Sequence, residues 1–244
     1  MILGCVCMRG GSKGVAGKNF RNLLGRPLME YTFDCAKKSK KVDAIAVSSD
    51  LDLILDISKE NKIRHIFKRN EKLSTDRASK WDVFKDLVLR FEEKTKMKVD
   101  YLVDLDVTVP RRKVEHIDTS IHMMLENDVD VVITGYDPER NPYFNMMEVK
   151  SGNKAVLVKK IDGAAVTCRQ EAPVVFALTP AVYVIKREAL FAYNHWSDAK
   201  CMINPIPREY AIDIDTELDF KIVEFLMAQE ERGRQVENER DLQY

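Results

Sequence analysis

The residues whose types most clearly suggest a chemical function lie in a glycine-rich, basic stretch that follows an apolar run at the start of the chain. Residues 8–19 read Met-Arg-Gly-Gly-Ser-Lys-Gly-Val-Ala-Gly-Lys-Asn, with four glycines and three cations. Glycine allows backbone N–H groups to approach phosphate oxygens, and the cations Arg9, Lys13 and Lys18 offset phosphate charge. The composition therefore predicts a loop that binds a polyphosphate.

The spacing within this loop excludes two common phosphate-binding motifs. A P-loop requires the pattern G-x-x-x-x-G-K-[ST], whereas here Ser12 precedes Lys13. The dinucleotide fingerprint G-x-G-x-x-G does not start at Gly10 or Gly11, and dinucleotide loops rely on glycine N–H groups and a helix terminus rather than on several cations. We therefore expect a triphosphate as the ligand.

A pair of carboxylates in the C-terminal part of the chain suits a metal ion. Asp213 and Asp215 are separated by one residue, so both side chains lie on one face of an extended segment. Such a pair repels unless a cation lies between them, and Mg²⁺ suits two carboxylates together with triphosphate oxygens. The structural alternative is an exposed acidic turn ahead of the last helix.

Asp104 and Asp106 form a second pair with the same spacing. One of them could join the metal, or a carboxylate of this pair could form an ion pair with Arg111 or Arg112. A basic phosphate loop combined with an acidic metal site is typical of phosphoryl or nucleotidyl transfer, in which cations stabilise charge on the leaving pyrophosphate. Such a protein aligns an attacking hydroxyl with the α-phosphorus and needs no covalent intermediate.

A scaffold must bring these residues together, and the alternation of β-rich apolar runs with amphipathic runs indicates one. It predicts an α/β fold with a mainly parallel twisted sheet and helices on both faces. The predicted strands are Ile2–Cys7, Ala44–Ser48, Ile63–Phe67, Tyr101–Asp106, Asp130–Thr134, Val174–Ile185 and Cys201–Ile206. The predicted helices are Pro27–Lys40, Asp52–Asn61, Lys80–Lys94, Lys113–Asn127 and Thr216 to about Arg232, followed by a polar tail that is expected to fray.

The chain of 244 residues is predicted to form a single domain, residues 1–244. Residues 136–173 interrupt the alternation with Asn-Pro and Ser-Gly turn signals, and we expect them to form an excursion such as a hairpin arm. Ser79 and Thr216 are predicted to cap the helices that follow them. Ligands bind at the carboxyl ends of strands in open α/β sheets, where the glycine loop and the acidic pairs are expected to meet.

Composition excludes several classes of function. The 39 basic and 39 acidic residues give a formal net charge of zero, which argues against nucleic acid as the main partner. No apolar run approaches the roughly 18 residues of a membrane span, and the chain starts without a signal-peptide pattern, so we expect a cytoplasmic protein. The five cysteines lack CxxC spacing and are expected to be reduced, and the four scattered histidines predict no zinc site.

The loop Arg9-Gly10-Gly11-Ser12-Lys13-Gly14, with Lys18-Asn19, resembles the signature of the acylneuraminate cytidylyltransferase family. This family comprises the CMP-sialic acid synthetases and their relatives that act on bacterial nonulosonic acids. Further similar segments follow in the family's order over nearly the whole chain, to about Leu226. They are Gly25-Arg26-Pro27-Leu28, Ser48-Ser49-Asp50, Lys68-Arg69, Leu73-Ser74-Thr75-Asp76 with Ser79, Arg140 to Met146, Arg169-Gln170 and Asp213 to Asp219.

The resemblance implies a Rossmann-like, GT-A-like nucleotidyltransferase that makes a CMP-sugar and pyrophosphate from CTP and an α-keto sugar acid, with Mg²⁺. It implies catalytic roles for Arg9, Lys18 and Asp213, and metal binding by Asp213 and Asp215. It also implies a homodimer in which residues 136–173 form the arm. The implied nucleotide site consists of Arg9, Gly10, Gly11, Ser12, Lys13, Lys18, Asn19, Arg69 and Ser79.

The chain departs from the family mainly on the side that would hold the sugar. The family motif Gln-Pro-Thr-Ser-Pro-Leu-Arg corresponds here to residues 106–112, Asp-Val-Thr-Val-Pro-Arg-Arg, and Asn-Gly-Ala-Ile-Tyr corresponds to residues 179–183, Thr-Pro-Ala-Val-Tyr. Met8 also replaces the usual alanine. The residues expected to line the sugar pocket are Asp106, Thr108, Arg169, Gln170 and Thr179.

We hypothesise that Asp106, a carboxylate where the family has an amide, adapts this pocket to a different sugar, for example one with a free amine. A nucleotidyltransferase with another base or sugar, including an octulosonic or amino sugar, is an alternative reading of the same residues. A catalytically silent homologue that binds nucleotide is another. A catalytically silent protein would not need to retain the cations and carboxylates of the site, which are Arg9, Lys18, Asp213 and Asp215.

Overall fold

The computed structural model describes residues 1–11, 14–163 and 165–241, with the backbone alone described for 234–241. Its centre is a seven-stranded sheet in the order β11-β7-β10-β6-β1-β4-β5, accompanied by two two-stranded sheets, β2-β3 and β8-β9. The strands are β1 Ile2–Cys7, β2 Asn22–Leu23, β3 Arg26–Pro27, β4 Ala44–Ser49, β5 His65–Lys68, β6 Tyr101–Asp104, β7 Val131–Tyr136, β8 Met147–Val149, β9 Ala155–Leu157, β10 Ala177–Lys186 and β11 Cys201–Pro205.

Helices cover both faces of the central sheet, as the alternation predicted. They are α1 Leu28–Lys38, α2 Asp52–Glu60, α3 Lys80–Thr95, α4 Val114–Glu126, α5 Arg187–Ala192 and α6 Glu217–Asp241. Alternate residues of β1 enter different cores: Val6 packs with α1, α2, α4 and α6, whereas Cys5 packs with α3 and α5. This two-sided burial explains why β1 is apolar without interruption.

The sheet is mixed but mainly parallel, which confirms the predicted fold class. Strand β1 pairs in parallel with β4 on one side and β6 on the other, and β11 pairs in parallel with β7. Strand β10 is antiparallel to both β6 and β7, and its register shifts between Leu178 and Tyr183. Such a shift bends a strand locally and redirects its side chains.

Most boundaries differ from the sequence predictions by one or two residues, and three differences affect the cleft or the C-terminal helix. Strand β6 ends at Asp104 rather than Asp106, because the Asp106 carboxylate accepts the backbone N–H of Thr108 and forms a turn. Strand β10 begins at Ala177 rather than Val174. Helix α6 extends to Asp241, so the tail that we expected to fray after Arg232 continues the helix.

Residues 136–173 leave the sheet as a separate excursion that contains the antiparallel hairpin β8-β9. Exposed apolar side chains cluster on this hairpin and on the chain that leads back to the sheet. They include Met147, Val149, Val156, Val174 and Phe176. The segment therefore presents a broad apolar surface outside both main cores.

Within the described part of the chain, no helix combines the length and the apolar character that a membrane crossing requires.

Candidate active site

The basic loop after β1 is fixed by hydrogen bonds at both of its ends. The backbone N–H of Gly10 donates to Asp50 Oδ1 at 2.8 Å, directly beyond the end of β4. The side-chain amide of Asn19 donates to the carbonyl of Arg9 at 2.9 Å. These bonds close the loop at the carboxyl edge of the sheet. The predicted contacts Ser12 and Lys13 lie outside the described residues.

The loop packs directly against the acidic segment, and Gly14 makes this packing possible. A Cβ atom added at Gly14 would lie 1.9 Å from the carbonyl oxygen of Asp215. The Lys18 ammonium reinforces the contact, since it donates to the carbonyl of Ile214 and lies 3.5 Å from Asp215 Oδ1. Two sequence features nearly two hundred residues apart, the basic loop and the Asp213–Asp215 pair, therefore form one site.

Asp213 has the features of a carboxylate that is built to hold a cation. Its Oδ1 atom is buried and has no hydrogen-bond partner among the described residues. Burial raises its pKa to about 6, and the nearby carboxylates of Asp106 and Asp215 act in the same direction. The hydrogen bond with Thr108 and the charge of Lys18 only partly offset this rise. A buried carboxylate oxygen without a partner is unfavourable, and a bound cation removes this penalty.

The donor set fits a hard divalent cation that shares its coordination with substrate. Asp213 and Asp215 line the same cavity of about 440 Å³. No group of three or more acidic, histidine or cysteine ligands occurs within residues 1–11, 14–163 and 165–241. Mg²⁺ is typically bound by one or two carboxylates together with phosphate oxygens and water, so two protein ligands are sufficient.

A second cavity of about 280 Å³ lies in front of the loop and adjoins the acidic segment through Lys18 and Thr108. Arg9, Gly11 and Asn19 line it on the loop side, and Arg69 lines it from the end of β5. The Arg9 guanidinium forms an ion pair with Asp76 across the cavity. Five of the predicted nucleotide residues therefore line one concave space: Arg9, Gly11, Lys18, Asn19 and Arg69.

Two predicted nucleotide residues have structural contacts of their own. Arg69 is buried, and its guanidinium donates to the hydroxyl and the carbonyl of Ser48. The hydroxyl of Ser79 accepts the N–H of Trp81 and caps α3, as predicted. Arg69 lines the cavity beside β4, whereas Ser79 acts on it through the position of the α3 N-terminus.

Lys80, the first residue of α3, lines the cavity but was not among the residues predicted from the sequence. Its Nζ lies 2.6 Å from Asp104 Oδ2 and 2.8 Å from Asp106 Oδ2. Burial opposes the charge of Lys80, but the two carboxylates outweigh it and raise its pKa well above the usual value. A sequence signal was available, since an aspartate inside an apolar strand such as β6 requires a buried partner.

The contacts with Lys80 also explain how the second acidic pair, Asp104 and Asp106, is accommodated in the fold. Lys80 and the hydrogen bonds from Thr108 outweigh burial and lower the pKa of Asp106 to about 2, whereas burial raises the pKa of Asp104. The proposed ion pair of Asp106 with Arg111 or Arg112 was wrong. Arg112 donates to the backbone carbonyl of Asp106, and Arg111 pairs with Glu230 of α6.

Thr108 and Thr179, both predicted to line the sugar pocket, differ in their exposure to the cleft. Thr108 lines the cavity, and its carbonyl accepts the N–H of Ile214 at 2.9 Å. Thr179 is only 1% exposed, and its hydroxyl donates to the carbonyl of Ala211. The expected direct contact of Thr179 with a sugar was therefore wrong, because the register shift in β10 turns this side chain inward.

Arg169 and Gln170 lie in the excursion rather than at the cleft. Both residues are exposed, and Arg169 pairs with Asp137 at 3.3 Å and donates to the carbonyl of Pro138. Neither residue lines the two cavities at the sheet edge. A role for them at a sugar site requires a second copy of the chain, which remains a prediction.

Comparison with known proteins identifies the family of this chain. The family described as Cytidylyltransferase matches residues 3–240. The post-translational flagellin modification protein B of Campylobacter coli is 36% identical over 226 residues, which cover 93% of this chain and 94% of that protein. The CMP-N,N'-diacetyllegionaminic acid synthase of Campylobacter jejuni is 36% identical over 227 residues, which cover 93% of this chain and 95% of that protein.

A solved structure supports the same fold. A CMP:2-keto-3-deoxy-manno-octonic acid synthetase complexed with CTP aligns with a TM-score of 0.70 at 16% identity, over 94% of this chain and 99% of that one. At this level of identity the similarity establishes the fold. The match over nearly the whole chain and the two relatives above 30% identity establish the family: this chain is a member of the cytidylyltransferase family.

Proposed function

We propose that the protein transfers a cytidylyl group from CTP to the anomeric hydroxyl of an α-keto sugar acid, releasing pyrophosphate. One observation carries this proposal: the basic loop and the Asp213–Asp215 segment are in direct contact at Gly14 and Lys18. Cations for a leaving pyrophosphate and carboxylates for a metal thus stand side by side, as nucleotidyl transfer requires.

The loop and the acidic segment have different roles in the reaction. In the loop, Arg9 and Lys18 bind the β- and γ-phosphates and stabilise the charge that develops on pyrophosphate. Beside the loop, Asp213 and Asp215 would hold Mg²⁺, which supplies charge neutralisation for the triphosphate. The rigid scaffold that holds both aligns the sugar hydroxyl with the α-phosphorus, and this alignment is the protein's main catalytic contribution.

The substrate class that we propose is a nonulosonic acid. The support is the similarity to a CMP-N,N'-diacetyllegionaminic acid synthase over almost its full length. The fold is shared with a synthetase for an eight-carbon keto acid, so an octulosonic acid is the second candidate. The two candidates differ in size and in acylamino substituents, which makes them separable by assay.

A homodimer is part of the proposal. The excursion carries exposed apolar residues, and the cavity of about 560 Å³ at its base is lined mainly by apolar surface from Tyr136, Pro142, Met146 and Phe176. A surface of this kind is unfavourable in water and typical of protein interfaces. We further propose that Arg169 and Gln170 reach the partner's sugar site and that the enzyme, with five free cysteines, works in the reducing cytoplasm.

The experiment is a measurement of pyrophosphate release with each of the four nucleoside triphosphates and a panel of nonulosonic and octulosonic acids, with Mg²⁺ present. We expect release with CTP and a nonulosonic acid. Release with another nucleotide would contradict the assignment of the base. Binding of CTP without release for any sugar would favour a catalytically silent nucleotide-binding protein.

A further inference from the structure

The ion cluster around Lys80 lines the same cavity as Arg9 and Lys18. Asp106 hydrogen-bonds to Thr108, and Thr108 in turn accepts the N–H of Ile214, next to the proposed metal ligand Asp213. In an in-line displacement the attacking hydroxyl approaches opposite the leaving pyrophosphate. With the pyrophosphate placed against Arg9 and Lys18 at the loop, we place the sugar at the part of this cavity that Asp106 and Lys80 line.

Within this cluster Lys80 has the most exposed side chain. The side chain of Lys80 is 40% exposed and lines the cavity, whereas those of Asp106 and Asp104 are 23% and 1% exposed. Lysine has three N–H donors, and the described residues offer two carboxylate contacts to Nζ. At least one donor is thus left to meet a substrate oxygen.

The acceptor capacity of Asp106 is largely used inside the protein. Its Oδ1 accepts the backbone N–H and the hydroxyl of Thr108 at 3.2 and 3.1 Å, and its Oδ2 accepts Lys80. The Asp106 carboxylate, which we expected to meet a substrate amine, is therefore already paired with the Lys80 ammonium. Its position in the network also fixes Thr108 beside the metal segment.

We propose that Lys80 is a specificity-determining residue whose ammonium occupies, between Asp104 and Asp106, the place that a cationic substituent of the sugar would otherwise take. The inference rests on the proposed function and deepens it. It assigns the cleft to sugar acids with neutral hydroxyl or acylamino substituents, whose oxygens accept the remaining N–H of Lys80. A free ammonium at the same position would meet Lys80 as a like charge and be rejected.

The test compares two nonulosonic acids that differ only in one substituent, acylamino or free amine. We expect the wild-type enzyme to prefer the acylamino compound in kcat/KM. Lys80→Ala removes the internal cation and uncovers two carboxylates, so the preference should move toward the free amine by about tenfold or more. The KM for CTP should stay near the wild-type value, because Lys80 is placed on the sugar side.

A second variant separates an effect on substrate preference from a loss of folding. Asp104 is buried, so Lys80→Ala alone leaves an unpaired charge, whereas Lys80→Ala with Asp104→Asn leaves only Asp106 ionised. The double variant should show the same shift in preference. Lys59→Ala, at an exposed ion pair on α2, is the matched control and should change neither the preference nor the activity.

Chemical rescue provides an independent measurement. Ethylammonium should restore activity of the Lys80→Ala variant on the acylamino sugar, because it can refill the vacated cation position. Tetramethylammonium at the same ionic strength should not, because it has no N–H donor. Rescue by both salts alike would reflect ionic strength and would count against the proposal.

Other results would overturn the inference. Equal losses on both sugars in both variants, without rescue, would assign Lys80 a purely structural role. A change confined to the KM for CTP would make it a nucleotide contact. If the wild-type protein released no pyrophosphate from any pair of substrates, the proposed function itself would fail and this inference with it, which is distinct from an active enzyme whose preference does not move.

Discussion

Replacement of Gly14 by alanine tests the contact on which the active site is built. The added Cβ would lie 1.9 Å from the carbonyl oxygen of Asp215 and 3.2 Å from its carbonyl carbon. Neither neighbour is a flexible side chain, because both atoms belong to the backbone. The loop and the acidic segment must therefore separate by more than 1 Å, about 1.5 Å, before ordinary van der Waals contact is restored.

The size of the effect follows from this displacement. A misplacement of about 1 Å costs roughly 10²-fold in rate, or about 2.7 kcal/mol of the activation barrier. Overpacking should in addition lower the free energy of unfolding by about 1–3 kcal/mol. We expect the larger relative change in kcat, because the displaced segment carries both proposed metal ligands.

The assay is pyrophosphate release at saturating CTP and sugar acid, together with urea unfolding. Gly233→Ala is the matched control, since a Cβ at this position in α6 meets no heavy atom within 4 Å. It should leave kcat unchanged. A Gly14→Ala enzyme with wild-type kcat and stability would refute the reasoning, because the loop and the acidic segment could not then be in contact.

Three further predictions concern the cleft, the anchoring of α6 and a buried histidine. Arg9→Ala should lower kcat/KM by about 10²–10³-fold in the pyrophosphate assay, because it removes a cation proposed to stabilise the leaving group; a change in KM for the sugar alone would contradict this. Arg111→Met removes a buried guanidinium that pairs with Glu230 and should lower the free energy of urea unfolding by about 2 kcal/mol, whereas the exposed Lys59→Met control should leave the midpoint unchanged. Burial lowers the pKa of His116 to about 4, so the unfolded chain binds the proton more readily and stability should fall as the pH drops from about 6.5 toward 4. By pH 4.5 the loss should be about 2 kcal/mol and should be absent in His116→Gln; parallel pH profiles for both proteins would show that another group is responsible.

The parts of the site that the sequence predicted are those encoded by local signals. The apolar run of β1 followed by glycines and cations specifies a strand and a phosphate loop without reference to the rest of the chain. Ser79 and Thr216 begin helices as expected, and the Thr216 hydroxyl accepts the N–H of Asp219 while the Asp219 carboxylate accepts that of Thr216. The contact of the loop with Ile214 and Asp215 follows from the rule for strand ends in α/β sheets.

The parts of the site that were not predicted depend on contacts between distant residues. Lys80 is a single lysine at a helix start, and only the packing of α3 beside β6 gives it two carboxylate partners. Arg111 pairs with Glu230 of α6, 119 residues away. Pro180 is a local sign of the register shift in β10, because proline cannot donate a backbone hydrogen bond, but the bond of Thr179 to the distant Ala211 has no local signal.

In the proposed reaction the sugar's anomeric oxygen attacks the α-phosphorus of CTP, so the fate of that oxygen distinguishes this reaction from the alternatives. A sugar acid labelled with ¹⁸O at the anomeric hydroxyl is incubated with CTP and Mg²⁺, and the products are analysed by mass spectrometry. We predict that the label is found in the CMP-sugar, in the oxygen between the sugar and phosphorus, and that the pyrophosphate is unlabelled. Label in pyrophosphate, or a phosphorylated sugar without cytidine, would contradict the account.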